Sequence, residues 1–261
     1  MVPSVSWQRY VAIGDSSTEG MGDPDGTGGF RGWADRLAEH LAAAHGEGFE
    51  YANLAIRGKT TEQIQSEQVP AALALRPDLV SIIAGMNDIL NVSFDPSATA
   101  ERVEQMFTTI AEAGAAVLTF TLPDPTPNLW FTRVIQPRLV DFNDALRQAA
   151  LRAGVMMVDV AAFTEGSDPR LWSDDRLHGN SAGHERVAHA IAHGLGLPGF
   201  DDSWRVPLPP IEPDPVVTAI RADLVWVHQH ALPWLWRTVR GRSLGDGATA
   251  KRPAPERVRS S

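Results

Sequence analysis

A short run of β-forming residues near the N-terminus ends in a polar turn. Residues 10–13 are followed by Gly14, Asp15 and Ser16. A strand that ends in such a turn places the next side chains at the carboxyl edge of an open α/β sheet, where ligands bind. We therefore predict that Ser16 is a nucleophile at this edge, with the adjacent Ser17 as its rival.

A serine nucleophile needs a base, a carboxylate that orients the base, and donors for the oxyanion. Candidates follow three later strands: Gly58, then Asn87, then the pair Asp175 and His178. A histidine can take up and return a proton near neutral pH. Gly58 lets a backbone N–H approach a substrate closely, and Asn87 can donate without carrying charge. In a parallel sheet these turns share one edge, so the sequence predicts a distributed site.

The elements that must position these residues alternate along the chain. Five predicted strands occupy residues 10–13, 49–55, 78–84, 115–121 and 155–160. Helical periodicity separates them over residues 33–46, 60–75, 95–114 and 139–153, and a last core helix follows at 181–195. This alternation predicts an α/β fold, a three-layer α/β/α sandwich around a five-stranded parallel sheet.

Four sequence blocks, taken together and in this order, resemble the SGNH (GDSL-type) hydrolases. They are Gly-Asp-Ser at 14–16, Asn-Leu-Ala-Ile-Arg-Gly at 53–58, Gly-Met-Asn-Asp at 85–88 and Asp-Arg-Leu-His at 175–178. The resemblance covers roughly residues 8–197. It implies a flavodoxin-like sheet and the hydrolysis of carboxylic esters through an acyl-enzyme.

The same resemblance implies a role for each candidate residue. Ser16 is the implied nucleophile, His178 the base and Asp175 the carboxylate that orients it. The backbone N–H groups of Ser16 and Gly58 and the side-chain amide of Asn87 are the implied oxyanion hole. The contact between Asp175 and the ring of His178 requires that the loop between them curls like a turn.

Other polar residues near the motifs have simpler interpretations. Asp174 is a rival to Asp175 as the orienting carboxylate, and Asp15 is expected to bond turn amides. Three further residues are expected in loop, strand-end or packing positions: Asp88, Asp159 and His184.

Metal chemistry is the main competing enzyme class. The segment 184–189 resembles H-E-x-x-H but is one residue too long, which turns the second histidine off the common helix face by about 100°. His189 and His193 have a suitable spacing, but the sequence offers no obvious third ligand. We therefore expect neither a metal nor another cofactor.

Composition limits the partners of the chain. Its 261 residues carry a net charge of −9 and no cysteine. Residues 237–261 contain seven basic and two acidic residues, a net charge of +5, so the preceding part carries −14. An acidic body argues against nucleic-acid binding. No apolar run has the length of a membrane span and no signal-peptide pattern is evident, so we expect a cytoplasmic protein.

The sequence divides into three parts. Residues 1–200 are predicted to form the hydrolase-like catalytic domain. Residues 201–240 comprise a proline-rich linker and an aromatic amphipathic helix over 216–240, expected to pack on the core beside the active-site mouth. A second subunit in a homodimer, or a lipid surface, is the alternative cover for its apolar face. Residues 241–261 are predicted to be a basic, disordered tail.

Three functions compete at this stage. The first is a serine esterase or lipase acting on small-molecule carboxylic esters. The second is a carbohydrate O-deacetylase or O-acyltransferase that uses the same residues. The third is a catalytically silent binding protein on the same fold. Specificity is expected in the loops 20–32 and 123–137, the latter with Trp130 and Phe131.

Overall fold

The computed structural model describes residues 6–125, 135–212, 216–233, 236 and 245–258. A central sheet has the strand order β5-β4-β3-β1-β2-β6. The strands are β1 Arg9–Gly14, β2 Glu50–Asn53, β3 Leu79–Ile83, β4 Ala116–Phe120, β5 Met156–Val158 and β6 Arg252–Arg257. The first five pair in parallel, and their order is that of a flavodoxin-like doubly wound sheet.

The sixth strand corrects the prediction of five. β6 pairs with β2 in antiparallel orientation and lies within residues 241–261, which were predicted to be disordered. Its sequence contains two prolines and no alternation of apolar residues, so it carries no strand signal. The pairing depends on the backbone: without β6, β2 would be an edge strand with unpaired N–H and C=O groups. Arg252 adds a cation–π contact, 5.3 Å from the ring of Tyr51.

Helices cover both faces of the sheet. The helices are α1 Ser16–Glu19, α2 Gly32–His45, α3 Thr61–Gln63, α4 Val69–Ala74, α5 Met86–Ile89, α6 Pro96–Glu112, α7 Gln136–Ala153, α8 Ser181–Gly194 and α9 Val216–Trp226. A π-helical turn, Ile64–Gln68, joins α3 to α4, and another, Val227–Ala231, follows α9. α2 packs against α8, and α6 packs against α7. The predicted layered arrangement, a mostly parallel sheet flanked by helices, is confirmed.

The core is centred on β1 and β3. Every residue of β3 is buried, as is expected for a strand that is covered on both faces. The hydroxyl of Tyr10 on β1 lies 2.7 Å from that of Ser81 on β3, so these two buried polar groups satisfy each other. No helix of the described ranges is long and apolar enough to cross a membrane.

Two predicted features fall wholly or partly outside the described residues. Trp130 and Phe131 of the 123–137 loop lie there, as do parts of the predicted 216–240 helix. Within the described part of residues 216–240, four large apolar side chains are exposed: Leu224, Val225, Leu232 and Trp236.

Candidate active site

Ser16 begins α1 directly after the carboxyl end of β1. Asp15 caps this short helix, and its carboxylate accepts a hydrogen bond from the backbone N–H of Ser17 over 3.1 Å. The Oγ atom of Ser16 lies 2.8 Å from Nε2 of His178. The structure thus brings Ser16, rather than its rival Ser17, into contact with the predicted base.

Asp175 meets the other ring nitrogen of the same histidine. Its Oδ2 atom lies 2.6 Å from Nδ1 of His178. Its Oδ1 atom accepts hydrogen bonds from the backbone N–H groups of Leu177 and His178, at 2.9 and 3.0 Å. These two bonds curl residues 175–178 into a tight turn, which is what a contact between residues three positions apart requires. Asp175, and not Asp174, therefore makes the contact that is expected of the orienting carboxylate.

The environment keeps Asp175 ionised. Burial alone would raise the pKa of this carboxyl, but the hydrogen bond from the His178 ring, the charge of that ring and the backbone N–H donors outweigh burial. The pKa of Asp175 is consequently held well below its usual range. An ionised carboxylate at this position can fix the tautomer of His178 and stabilise its protonated form.

Asn87 contacts the turn that contains Gly58, through the backbone oxygen of Lys59. Gly58 has a φ of 76°, a left-handed conformation that side-chain-bearing residues rarely adopt. The amide nitrogen of Asn87 donates to the backbone oxygen of Lys59 over 3.0 Å and to Oδ2 of Asp15 over 3.1 Å. Asn87 therefore ties the turn after β2 to the turn after β1. Whether these two residues stabilise an oxyanion stays a prediction.

Two buried carboxyl groups support the turns around Ser16. Burial raises the pKa of Asp15 to about 6, although the N–H of Ser17 and the charge of His178 oppose the shift. Asp88 accepts hydrogen bonds from the backbone N–H and the hydroxyl of Thr61, at 2.9 and 2.7 Å. Burial raises the pKa of Asp88 as well. The sequence predicts Asp88 in a loop or at a strand end, whereas the structure buries it within α5, because the type of a single residue does not signal its burial.

His184 is buried near the site and connects neighbouring segments through hydrogen bonds. Its Nδ1 accepts a hydrogen bond from the backbone N–H of Trp33 over 3.1 Å, and its Nε2 lies 3.0 Å from the carbonyl oxygen of Met21. Burial lowers the pKa of His184 to about 4. Its ring is therefore neutral at physiological pH and joins α8 to α2 and to the loop 20–32, in agreement with the expected packing role.

An apolar cavity of about 100 Å³ opens beside the contact between Ser16 and His178. Buried apolar side chains from α2, β4, α8 and the segments that follow β4, β5 and α8 form part of its lining: Trp33, Phe120, Leu122, Val160, Ala190 and Trp204. A cavity wall has the same apolar periodicity as a packed core, so the sequence holds no signal that separates the two.

His189 and His193, which the sequence offers as possible metal ligands, contact other protein atoms instead. Nε2 of His189 lies 3.6 Å from the carboxylate of Asp201, and Nδ1 of His193 accepts from the indole N–H of Trp204 over 3.2 Å. Among the residues that the structure describes, no group of three or more His, Asp or Glu side chains could hold a metal ion.

Comparisons with solved structures support the fold. The chain aligns with an acetylxylan esterase from Geobacillus stearothermophilus, a catalytic mutant, at a TM-score of 0.62 and 21% identity, covering 77% of this chain and 97% of that one. It aligns with an α/β hydrolase from the metagenome of Lake Arreo at a TM-score of 0.60 and 23% identity, covering 73% and 95%. At these identities the alignments show a shared fold alone.

Sequence comparisons identify the family. An acetylxylan esterase of Geobacillus stearothermophilus is 26% identical over 215 residues, which cover 74% of this chain and 95% of the relative. A GDSL lipase of Mycobacterium tuberculosis is 29% identical over 191 residues, covering 70% and 79%. The profile of the GDSL-like lipase/acylhydrolase family matches residues 12–186, more than half of the chain. The chain therefore belongs to the GDSL-like lipase/acylhydrolase family, and it is an ester hydrolase.

Proposed function

We propose that the protein hydrolyses carboxylic esters through an acyl-enzyme formed on Ser16. The observation that carries this proposal is the continuous path from Ser16 Oγ to His178 Nε2, 2.8 Å, and from His178 Nδ1 to Asp175 Oδ2, 2.6 Å. This is the arrangement in which a histidine can activate a serine while a carboxylate orients the histidine.

The reaction has two halves. Ser16 Oγ attacks the ester carbonyl carbon while His178 Nε2 takes its proton, and the resulting imidazolium protonates the leaving alcohol as the C–O bond breaks. A water molecule then attacks the acyl-enzyme, again giving its proton to His178. The acid leaves when the proton returns to Ser16. Asp175 stays ionised throughout and stabilises the imidazolium.

The developing oxyanion needs donors in both halves. We assign this role to the backbone N–H groups of Ser16 and Gly58 and to the amide of Asn87. Asn87 lies in the wall of the cavity together with Ser16, which supports the assignment. Its N–H groups bond Asp15 and Lys59, so an oxyanion would share or replace one of these bonds.

The size of the cavity beside Ser16 favours substrates with a small acyl group. It measures about 100 Å³. An apolar cavity of about 150 Å³ accommodates benzene, so this one suits an acyl chain of only a few carbon atoms. Esters with short acyl chains are therefore the proposed substrates.

A carbohydrate O-deacetylase, or an O-acyltransferase acting on a sugar, is the second candidate. It is favoured by one observation: a relative that covers most of this chain is an acetylxylan esterase. An acetyl group also fits the small cavity. A sugar acceptor that diverts the acyl group from free acid would identify the transferase, and release of acetate from acetylated xylo-oligosaccharides would identify the deacetylase.

A graded ester series and an active-site probe test the proposal together. We expect the protein to hydrolyse p-nitrophenyl esters with a preference for short acyl chains, and a fluorophosphonate probe to label Ser16. Ser16→Ala should abolish both, whereas the matched control Ser17→Ala should retain them. Labelling that survives Ser16→Ala, or the absence of any labelling in the folded wild type, would contradict an acyl-enzyme on Ser16.

Location and partners complete the proposal. We propose a cytoplasmic enzyme that acts on a small-molecule ester without a nucleic-acid partner, consistent with its acidic net charge of −9. Exposed apolar residues such as Leu232 and Trp236 support a homodimer through the 216–240 segment. Sedimentation velocity tests this directly: a purely monomeric protein at micromolar concentration would contradict the dimer.

A further inference from the structure

The turn that carries Asp175 and His178 is held from outside by α9. The indole N–H of Trp226, the last residue of this helix, donates a hydrogen bond to the backbone oxygen of Asp175 over 2.9 Å. Trp226 is buried, although neighbouring apolar residues of the same segment are exposed. The profile match to the family ends at residue 186, so this contact comes from a part of the chain that the family match does not include.

A second contact from α9 reaches the next residue of the turn. The guanidinium of Arg176 forms an ion pair with Asp223 over 2.6 Å and lies 5.8 Å from the ring centre of Trp226. Arg176 has a φ of 58°, an unfavourable left-handed conformation for a residue with a side chain. Such a conformation persists only where the surrounding structure holds it in place.

The two contacts act on the same short piece of backbone. The carbonyl that Trp226 binds belongs to the peptide between Asp175 and Arg176, and Asp223 holds the side chain of Arg176. A change in the backbone angles at this peptide would break both contacts. It would also rotate the Asp175 carboxylate away from Nδ1 of His178, since the side-chain direction follows the backbone.

We propose that Trp226 and Asp223 are positioning residues for the ester hydrolysis described above. They act through the turn and do not touch the reacting atoms. Their role is to hold the Asp175 carboxylate on His178 in every turnover. This inference rests on the proposed function, because it assigns to α9 the orientation of the proposed base.

Isosteric or near-isosteric variants test the role. Trp226→Phe keeps an aromatic ring but removes the donor, and Asp223→Asn removes the charge from the ion pair. We expect each to lower kcat by about tenfold while KM changes by less than about twofold, because the reacting groups are misaligned but the cavity is unchanged. Leu224→Ala, on an exposed position of the same helix, is the matched control and should keep wild-type kcat.

A pH profile separates positioning from general loss of fold. An Asp175 carboxylate that is turned away stabilises the imidazolium less, so the acidic limb of kcat/KM should move to lower pH in both variants. His178 also lies near two other titratable side chains, the carboxyl of Asp15 and the neutral ring of His184. On the α9 side, Arg176 pairs with Asp223, and His230 stacks on Trp226. These groups are the same in the Leu224→Ala control, so the shift is measured against it.

The outcomes distinguish this inference from the proposed function. Unchanged kcat and an unchanged acidic limb in both folded variants would overturn the positioning role, while wild-type hydrolysis that is lost in Ser16→Ala would leave the proposed function intact. If the wild type hydrolyses no ester, proton NMR still decides: the Nδ1–H proton of His178, shared with Asp175, should resonate far downfield in the wild type and lose intensity in Trp226→Phe and Asp223→Asn. Equal signals in all three would overturn the inference. Should Trp226→Phe fail to fold, Asp223→Asn carries the same readouts.

Discussion

The carboxylate of Asp15 accepts a hydrogen bond from the side-chain amide of Asn87 over 3.1 Å. Asp15 comes directly before the proposed nucleophile, and Asn87 is a proposed oxyanion donor from the turn after β3. This hydrogen bond thus joins the backbone that carries the proposed nucleophile to a group that would stabilise the oxyanion of the tetrahedral intermediate. The pair places a carboxyl group in the core and should have measurable effects on both stability and activity.

Asp15→Asn should change how stability depends on pH. Burial raises the folded-state pKa of Asp15 to about 6, above its ordinary value of 3.8. A group of this kind stabilises the fold fully below pH 4 and loses that contribution as pH rises through 6. Relative to Asp15→Asn, the wild type should therefore lose up to about 3 kcal/mol of unfolding free energy between pH 4 and pH 7.

Urea denaturation of both proteins at pH values from 4 to 8 measures this difference. The comparison must be between the two proteins, because His184 acts in the opposite direction in the same range: burial lowers its pKa to about 4, so its contribution is lost on acidification. A stability difference that is constant across the range would show that Asp15 does not titrate as described.

Asn87→Ala should lower kcat by about 10²–10³-fold, the usual loss when one oxyanion donor is removed. The physical reason is that the alanine cannot donate to the charge that develops on the carbonyl oxygen. Steady-state kinetics with a short-chain ester measure the effect, and Asn91→Ala, at an exposed position shortly after α5, is the control. A rise in KM with kcat retained would mean that Asn87 binds the substrate but does not stabilise the transition state.

Lys251→Met should destabilise the protein by about 2–3 kcal/mol. The ammonium of Lys251 donates to the backbone oxygens of Phe30 and Arg31, at 2.9 and 2.7 Å, and lies 2.9 Å from the carboxylate of Asp35. Removal takes a donor from two carbonyl oxygens and a cation from the Asp35 carboxylate, and it should increase hydrogen exchange in the loop 20–32.

The control for this variant is Arg152→Met, which breaks an ion pair with Glu104 at a more exposed site. Exposed pairs contribute at most about 1 kcal/mol, so the control should be close to wild type. An equal loss of unfolding free energy in the two variants would show that the contacts of Lys251 stabilise the protein no more than an exposed ion pair does.

Ala190→Leu should narrow the range of accepted acyl chains. Ala190 is buried on α8 and lines the cavity beside Ser16. A larger side chain there occupies the space of the acyl group, so hydrolysis of acetyl esters should persist while that of butyryl and longer esters falls. The ratio of kcat/KM values across the ester series measures this. An unchanged ratio would place the acyl group elsewhere.

The sequence by itself determined where the reactive residues stand relative to the sheet. The strand–turn boundaries at Ser16 and Asn87 are local features, set by β-forming residues that give way to glycine and polar residues. Parallel strands place such boundaries at one edge, so a contact between positions 16 and 178 could be anticipated without coordinates. The tight turn from Asp175 to His178 is likewise local, because it is closed by hydrogen bonds within four residues.

Only the tertiary structure decided the features that depend on contacts between distant segments. β6 pairs through its backbone, and backbone pairing leaves no pattern of side chains in a proline-containing segment such as residues 252–257. The bond from Trp226 to the backbone oxygen of Asp175 and the bond from Asn87 to Asp15 join segments that no periodicity relates. The cavity walls look like core in the sequence, because burial against a void and burial against another side chain require the same apolar residues.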